Sequence, residues 1–165
     1  MFDPGASSFG KGGAGVTDVS LLDDAGNRLA WVVGGETVTL TIRAVASRPL
    51  QRTIIGFFVR DRLGQNLFGD NTLLASGGGP VHMQEGETVE ARFVFDMPLL
   101  PIGDYSINVA IAEGDQDKHI QHHWIYDALI FKSQASSVTH SLIGIPMREV
   151  SIGVASEETE KEQSS

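Results

Sequence analysis

Trp124 and Tyr126 lie in a stretch, residues 121–132, whose alternation predicts a β-strand. Side chains two apart on a strand share a face, so both rings project together. Ile125, Leu129 and Phe131 form the opposite, more apolar face, with Asp127 out of pattern. In 104–112, the face opposite Tyr105, Ile107, Val109 and Ile111 carries only Ser106, Asn108, Ala110 and Ala112, all small. In 52–60 the outward face, fixed by Arg60, carries Gly56 and Phe58. If these strands are neighbours, small residues floor a shallow groove walled by Trp124, Tyr126, Phe58 and Arg60. Aromatic rings stack on the apolar faces of sugars, and Asn, Ser and Arg exchange hydrogen bonds with hydroxyls. The candidate site is therefore carbohydrate-binding: Trp124, Tyr126, Phe58, Arg60, Asn108 and Ser106. The rival reading buries Trp124 and Tyr126 under a loop or a second subunit.

Other chemistries are weaker. Gly5-Ala6-Ser7-Ser8-Phe9-Gly10-Lys11 matches the G-x-x-x-x-G-K spacing of a phosphate-cradling loop. Position 12 is Gly, not the Ser or Thr that would hold Mg²⁺, and no buried strand precedes it. The segment reads as a Gly-rich arm, and no ATP hydrolysis is expected. His119, His122 and His123 follow Asp115 and Asp117, yet a strand sends His122 and His123 to opposite faces, whereas zinc ligands converge. Glu113, Asp115 and Asp117 lack the twelve-residue calcium loop with its closing Glu. An ordinary polar hairpin loop accounts for them, so no metal and no cofactor is expected. There is no G-x-S-x-G elbow and no H-E-x-x-H, and carboxylates such as Asp23, Asp24 and Asp61 sit in turns. A glycosidase pair distant in sequence stays compatible with the chain. The chain is read as no enzyme.

The elements that must position these residues are strands. Val38, Leu40, Ile42 and Ala44 alternate with Thr39, Thr41 and Arg43; Val89, Ala91, Phe93 and Phe95 alternate with polar neighbours. Strands are expected at 15–22, 28–33, 36–46, 52–60, 66–75, 87–96, 104–112, 121–132, 138–144 and 147–154. Turn signals such as Asp24-Ala25-Gly26-Asn27, Gly34-Gly35, Gly77-Gly78-Gly79-Pro80 and Glu85-Gly86 separate them at the spacing of a β-sandwich. The fold expected is all-β: an immunoglobulin-like antiparallel β-sandwich with extra C-terminal strands. Tyr105, after Pro98-Leu99-Leu100-Pro101-Ile102-Gly103-Asp104, fits the tyrosine corner of such sandwiches.

Composition agrees. The 165 residues suit one domain with tails, and 41% hydrophobic residues suffice for a core. No apolar run approaches the roughly 18 residues of a membrane-spanning helix. The absence of Cys excludes disulfides, thiolate–zinc sites and Cys nucleophiles, and fits a reducing compartment. With 12 basic against 21 acidic residues, net −9, the surface repels nucleic acid and anionic lipid. Residues 1–14 are expected to be a flexible Gly/Ser-rich linker, 15–154 the carbohydrate-binding sandwich, and 155–165 a disordered acidic tail. The opening Met-Phe-Asp-Pro-Gly carries no secretion leader and reads as a fragment cut from something larger.

Five segments in order carry a resemblance. Phe9-Gly10-Lys11-Gly12-Gly13-Ala14-Gly15-Val16 leads into Val19-Ser20-Leu21-Leu22-Asp23-Asp24-Ala25-Gly26; then come Gly34-Gly35-Glu36-Thr37-Val38, Leu67-Phe68-Gly69-Asp70-Asn71-Thr72, Leu100-Pro101-Ile102-Gly103-Asp104-Tyr105 and Tyr126-Asp127-Ala128-Leu129-Ile130-Phe131. Over roughly residues 9–154 the chain resembles the C-terminal domain of Wzt-type ATPase subunits. Those subunits belong to ABC transporters that export bacterial O-antigen polysaccharide. Gly12-Gly13 and Asp70 depart from the pattern in loop detail. The resemblance implies a non-catalytic carbohydrate-binding module recognising O-antigen polysaccharide for export, a step in lipopolysaccharide biosynthesis. It implies a cytoplasmic location, at the inner membrane through the transporter. It further implies a nucleotide-binding ATPase domain before residue 1 and a membrane subunit as partners in the full-length protein. The alternative is a structural dimerisation sandwich that binds no glycan.

The C-terminal segment adds one expectation. Seven sandwich strands are complete before Ser133-Gln134-Ala135-Ser136-Ser137, a pliable polar stretch. Val138 to Ile145 and, after Pro146, residues 147–154 read as further strands, and an extra apolar strand must find a sheet edge. A homodimer is expected, with 138–154 pairing with the partner's sheet, for which strand exchange is a low-cost route.

Overall fold

Ten strands follow one another: β1 (Ser8–Phe9), β2 (Ala14–Leu22), β3 (Trp31–Val32), β4 (Thr37–Ala46), β5 (Leu50–Asp61), β6 (Asn66–Asn71), β7 (Val81–Met83), β8 (Thr88–Asp96), β9 (Gly103–Gly114) and β10 (His119–Ser133). They are seen in a computed structural model that describes residues 1–73, 81–114, 119–134 and 143–153. The expected turn at 77–80, Asp115, Asp117, residues 138–142 and the 155–165 tail lie outside the described residues. No helix occurs among those described.

One sheet has the order β1-β10-β9-β5-β6, with β3 also on β10 and β7 also on β5; the other is β2-β4-β8. The chain crosses between sheets from β4 to β5 and again from β8 to β9, which is the immunoglobulin-like sandwich expected. One ladder departs from the antiparallel expectation. β3 runs parallel to β10, pairing Trp31 with Lys132 and Val32 with Ser133.

β4 is the centre of the small sheet and β9 the centre of the large one, so their inward residues fill the core. Val38, Leu40, Ile42 and Ala44 are fully buried, as are Ile107, Val109 and Ile111. Each large aliphatic side chain so buried contributes about 1.5–3 kcal/mol relative to exposure. The tyrosine corner closes the turn into β9: the Tyr105 hydroxyl donates to the Pro101 carbonyl at 2.7 Å, and its ring stacks on Phe131. Burial, with Asp61 nearby, pushes the Tyr105 phenol pKa up.

Residues 1–14 differ from the loose linker expected. Ser8 and Phe9 pair with Ile125 and Trp124 on β10. The amides of Asp3, Lys11 and Gly12 donate to the carbonyls of Ala128, Gln121 and His122, and Ser7 accepts from the Tyr126 amide. The reason is that β10 would otherwise leave a row of unpaired backbone groups along the sheet edge. Glycine lets the arm come close: a Cβ on Gly10 would overlap the His122 carbonyl.

The C-terminal expectation also fails in part. Residues 147–153 form no strand, and ahead of them Gly144 pairs with Leu99, exchanging hydrogen bonds of 2.6 and 2.8 Å. Met147, Val150 and Ile152 are exposed. Pro146 interrupts the backbone, and residues 147–153 pair with no sheet edge of their own chain.

The arm is tied down by a titratable acceptor. The Val16 amide donates to Nδ1 of His123 at 3.0 Å, so that nitrogen must be unprotonated. Burial holds the His123 pKa below its ordinary 6.5. A depressed folded value means that His123 contributes stability above pH 6.5 and that this is lost as pH falls through the folded value. The Glu113 carboxyl, lowered from 4.5, loses its contribution only below that pH. Between pH 7 and pH 5 the thermal midpoint should fall and the protection of the Val16 amide, its intrinsic exchange rate divided by its observed rate, should decrease. His123→Gln, which keeps an acceptor but cannot ionise, should flatten both responses; an unchanged wild-type midpoint across that range would show the bond carries no weight.

Candidate functional site

The outward face of the large sheet is organised in rows. Register aligns Asn71, Gly56, Ala110, Trp124 and Phe9 across β6, β5, β9, β10 and β1. The next row holds Gly69, Phe58 and Asn108, and the one after it Arg60, Ser106 and Ile130. Gly56 keeps the first row low, since a Cβ there would lie 3.1 Å from Asn71 Cβ. Of the small floor read from the sequence, Ala110 and Ala112 lie with Gly56 along the same hollow.

Around it the rings converge. Trp124 lies 6.0 Å from Phe58 and 6.1 Å from Tyr126, centroid to centroid. The Arg60 guanidinium carbon sits 5.9 Å from the Tyr126 centroid, within cation–π reach. Phe9, from the arm, stacks on Trp124 at 6.2 Å and leans on Tyr126 at 6.1 Å. Phe58, Tyr126 and Phe9 keep 40%, 39% and 52% of their surface exposed. Beside this cluster lies a cavity of about 460 Å³, lined by Gly56, Phe58, Asn71, Ala110, Gln121 and Trp124. The Trp124 indole nitrogen and the Gln121 side-chain oxygen are buried next to it without hydrogen-bond partners.

Two of the six expected site residues are placed otherwise. Asn108 is buried, 3% exposed, and takes no part in the surface. Its side-chain oxygen accepts from the Asp127 amide at 2.9 Å. The cause is a bulge: Ile125 pairs with Val109 and Leu129 with Ile107, so residues 126–128 stand opposite Asn108 alone. Asp127 adopts φ 51° and points outward, while Ala128 turns into the core. Ser106 faces outward but lies two rows from the cavity floor at Ala110, beside Arg60 rather than Trp124. Trp124, Tyr126, Phe58 and Arg60 are brought together as expected. Sequence reasoning missed Phe9, whose signal lay in the unpaired edge of β10, and Gln121 and Asn71, which only the register reveals.

His122 and His123 lie against the arm and the start of β2, whereas His119 lines the cavity. His122 is wholly buried, with Nε2 3.3 Å from Glu113 and 3.5 Å from the Arg48 guanidinium. The Gln51 amide donates to Glu113 at 2.6 Å and chiefly holds that carboxyl below its ordinary range, with His122 and Arg48 adding to it against partial burial. Gly13 packs directly on His122 and Arg48, where no Cβ fits. Among the described residues no three potential metal-ligating side chains converge.

The chain is an immunoglobulin-like sandwich with an aromatic cluster on its larger sheet. The chain belongs to the Wzt C-terminal domain family, whose model matches residues 5–145, and so is an ABC-transporter-associated domain. The crystal structure of the C-terminal domain of Wzt superposes with a TM-score of 0.81 at 21% identity, covering 92% of this chain and 91% of that one. A Niemann-Pick type C2 protein from the Japanese carpenter ant reaches a TM-score of only 0.49 at 11% identity, over 81% of this chain and 99% of that one. A comparison with curated protein sequences finds no match.

Asn108→Leu should unfold the bulge rather than weaken a ligand contact. It leaves the Asp127 amide without its acceptor, at a cost of about 1–3 kcal/mol, and the melting midpoint followed by circular dichroism should drop by several degrees. A midpoint within a degree of wild type would mean the bulge is held by something else.

Proposed function

We propose that this chain is a non-catalytic module that binds O-antigen polysaccharide for export by an ABC transporter. The observation that carries the reading is the partly exposed cluster of Phe9, Phe58, Trp124 and Tyr126, with Arg60 over the Tyr126 ring, beside a small-residue cavity. Rings of this kind stack on pyranose faces, and the unpartnered Trp124 N–H and Gln121 oxygen offer a donor and an acceptor of the sort a hydroxyl satisfies in a single group. Family membership supports the transporter setting, and with it the cytoplasmic face of the inner membrane, an ATPase domain and a membrane subunit as partners. Binding at one site would be weak, around millimolar to micromolar, and two copies would add avidity.

Calorimetric titration of the chain with O-polysaccharide from the strain that encodes it should show saturable binding, with no shortening of the glycan on prolonged incubation. Trp124→Ala should weaken binding roughly tenfold or more without changing the melting midpoint. No binding by a folded wild-type chain would overturn the reading.

The dimer belongs to the same proposal. Ile145, Met147, Val150 and Ile152 are exposed just beyond the Gly144–Leu99 bridge, and a second copy offers sheet edges to cover them. Sedimentation should give a dimer for the whole chain and a monomer or an aggregating species after deletion of 138–165. A stable dimer of the truncated chain would refute the strand-pairing arrangement. Trp124→Ala separates the alternative: dissociation into monomers with no glycan effect would make the aromatic face a protein interface.

A further inference from the structure

The polar surface of the large sheet extends beyond the aromatic cavity. Four residues along β9 from Ala110, Ser106 floors a second depression of about 240 Å³, which Arg60, Asp127 and Ile130 also line. At about 3.3 Å per residue of strand, the two floors are about 13 Å apart, farther than one sugar ring reaches. Tyr126 stands between them with Arg60 over its ring, so the aromatic surface is continuous from one hollow to the other.

The second hollow is built by the bulge. A residue with a Cβ reaches φ 51° only at a cost, and here Asn108, itself buried, holds the Asp127 amide in place. The result brings Asp127 to the same hollow as Ser106 and Arg60, and the Arg60 Nε is anchored on the Gly64 carbonyl at 3.2 Å. A guanidinium donates to hydroxyl oxygens, a carboxylate accepts from hydroxyl hydrogens, and Ile130 supplies an apolar side. Arg62, Asp61 and Asp104 complete the rim, with Lys132 3.9 Å from Asp104, so charges of both signs are interleaved. Such a rim, on a chain of net charge −9, gives an anionic saccharide no net attraction.

We propose that the hollow formed by Arg60, Ser106 and Asp127 is a second sugar subsite, specific for a neutral residue of the same glycan whose other end occupies the aromatic cavity. The chain thus reads a stretch of polysaccharide and not a single sugar. This rests on the glycan-binding reading above.

The test uses the full chain and the O-polysaccharide of its source strain, freed from lipid by mild acid and fractionated by length. Affinity should rise with fragment length until both hollows are spanned. Ser106→Ala and Asp127→Gly should each weaken the long fragments roughly tenfold and leave the shortest binding fragment unchanged, whereas Arg60→Met, which also removes the cation from the Tyr126 ring, should weaken every length. Asp127→Gly suits the positive φ, so it should melt no lower than wild type. Trp124→Ala should weaken every length. Raising salt between about 50 and about 500 mM should leave affinity within twofold. Long fragments binding no tighter than the shortest, or long-fragment affinity unmoved in both Ser106→Ala and Asp127→Gly, would overturn the second subsite; a steep loss with salt would overturn its neutral specificity. If no fragment of any length binds wild type, the glycan reading itself falls. Binding that needs Trp124 but ignores Ser106 and Asp127 would leave that reading standing and remove only this one.

Discussion

Asn108 sits in the middle of the large sheet and governs what that sheet shows to solvent. In an unbroken pleat Asp127 would face inward with Ile125 and Leu129, placing a carboxylate in an apolar core. The bulge at residues 126–128 removes that conflict: Ala128 enters the core, and Tyr126 and Asp127 both face out. A bulge strips ladder hydrogen bonds from the bulged strand, and the Asn108 oxygen supplies the missing acceptor from the neighbouring strand. Two adjacent outward side chains cannot arise from regular alternation. They arise here because one buried amide side chain stabilises an irregular backbone.

The same sheet needs its central strand to be asymmetric. β9 presents Tyr105, Ile107, Val109 and Ile111 to the core and Ser106, Ala110 and Ala112 to the other side. Large inward residues hold the two sheets together, while small outward ones leave room that Trp124 and Phe58 border but do not fill. Had the outward positions been β-branched, the packing would tolerate it, and the cavity would be gone. Stability thus constrains one face of the strand and leaves the other free to be hollow.

The strands with strict alternation were legible in the sequence. β4, β8, β9 and much of β5 follow it, and the Pro101–Tyr105 corner carries its own turn chemistry. What alternation cannot encode is register. Nothing local says that Ser8 and Phe9 will lie against Ile125 and Trp124, because a two-residue strand in a Gly-rich arm has no periodicity to detect. Val81–Met83 and the parallel pairing of Trp31 were illegible for the same reason: each is set by a neighbour distant in the chain. Asp127 was visible as an exception to the pattern, and Asn108 as a residue opposite it. Their bond, which moves Asn108 from the surface to the interior, required the third dimension. In residues 147–153 alternation was present but no partner strand was, and alternation without a partner makes no strand.

Because Phe9 belongs to the arm and also stacks on Trp124 and Tyr126, the aromatic cluster and the docking of the arm are one equilibrium. Any ligand that touches Phe9 in its docked position stabilises the docked arm, and by reciprocity whatever holds the arm down strengthens that ligand's binding by the same factor. What holds it down lies on β10 and its neighbours: the Lys11 and Gly12 amides on β10 carbonyls, Gly13 packed on His122 and Arg48, and Val16 bonded to His123. Apart from Gln121, whose carbonyl takes the Lys11 amide, none of these residues lines the cavity. They nonetheless set how much of the time the cluster has its fourth ring, since releasing the arm removes Phe9 from Trp124. A ligand held at the cluster would therefore depend partly on polar contacts of residues 11–16, which run into β2, and not only on the rings themselves.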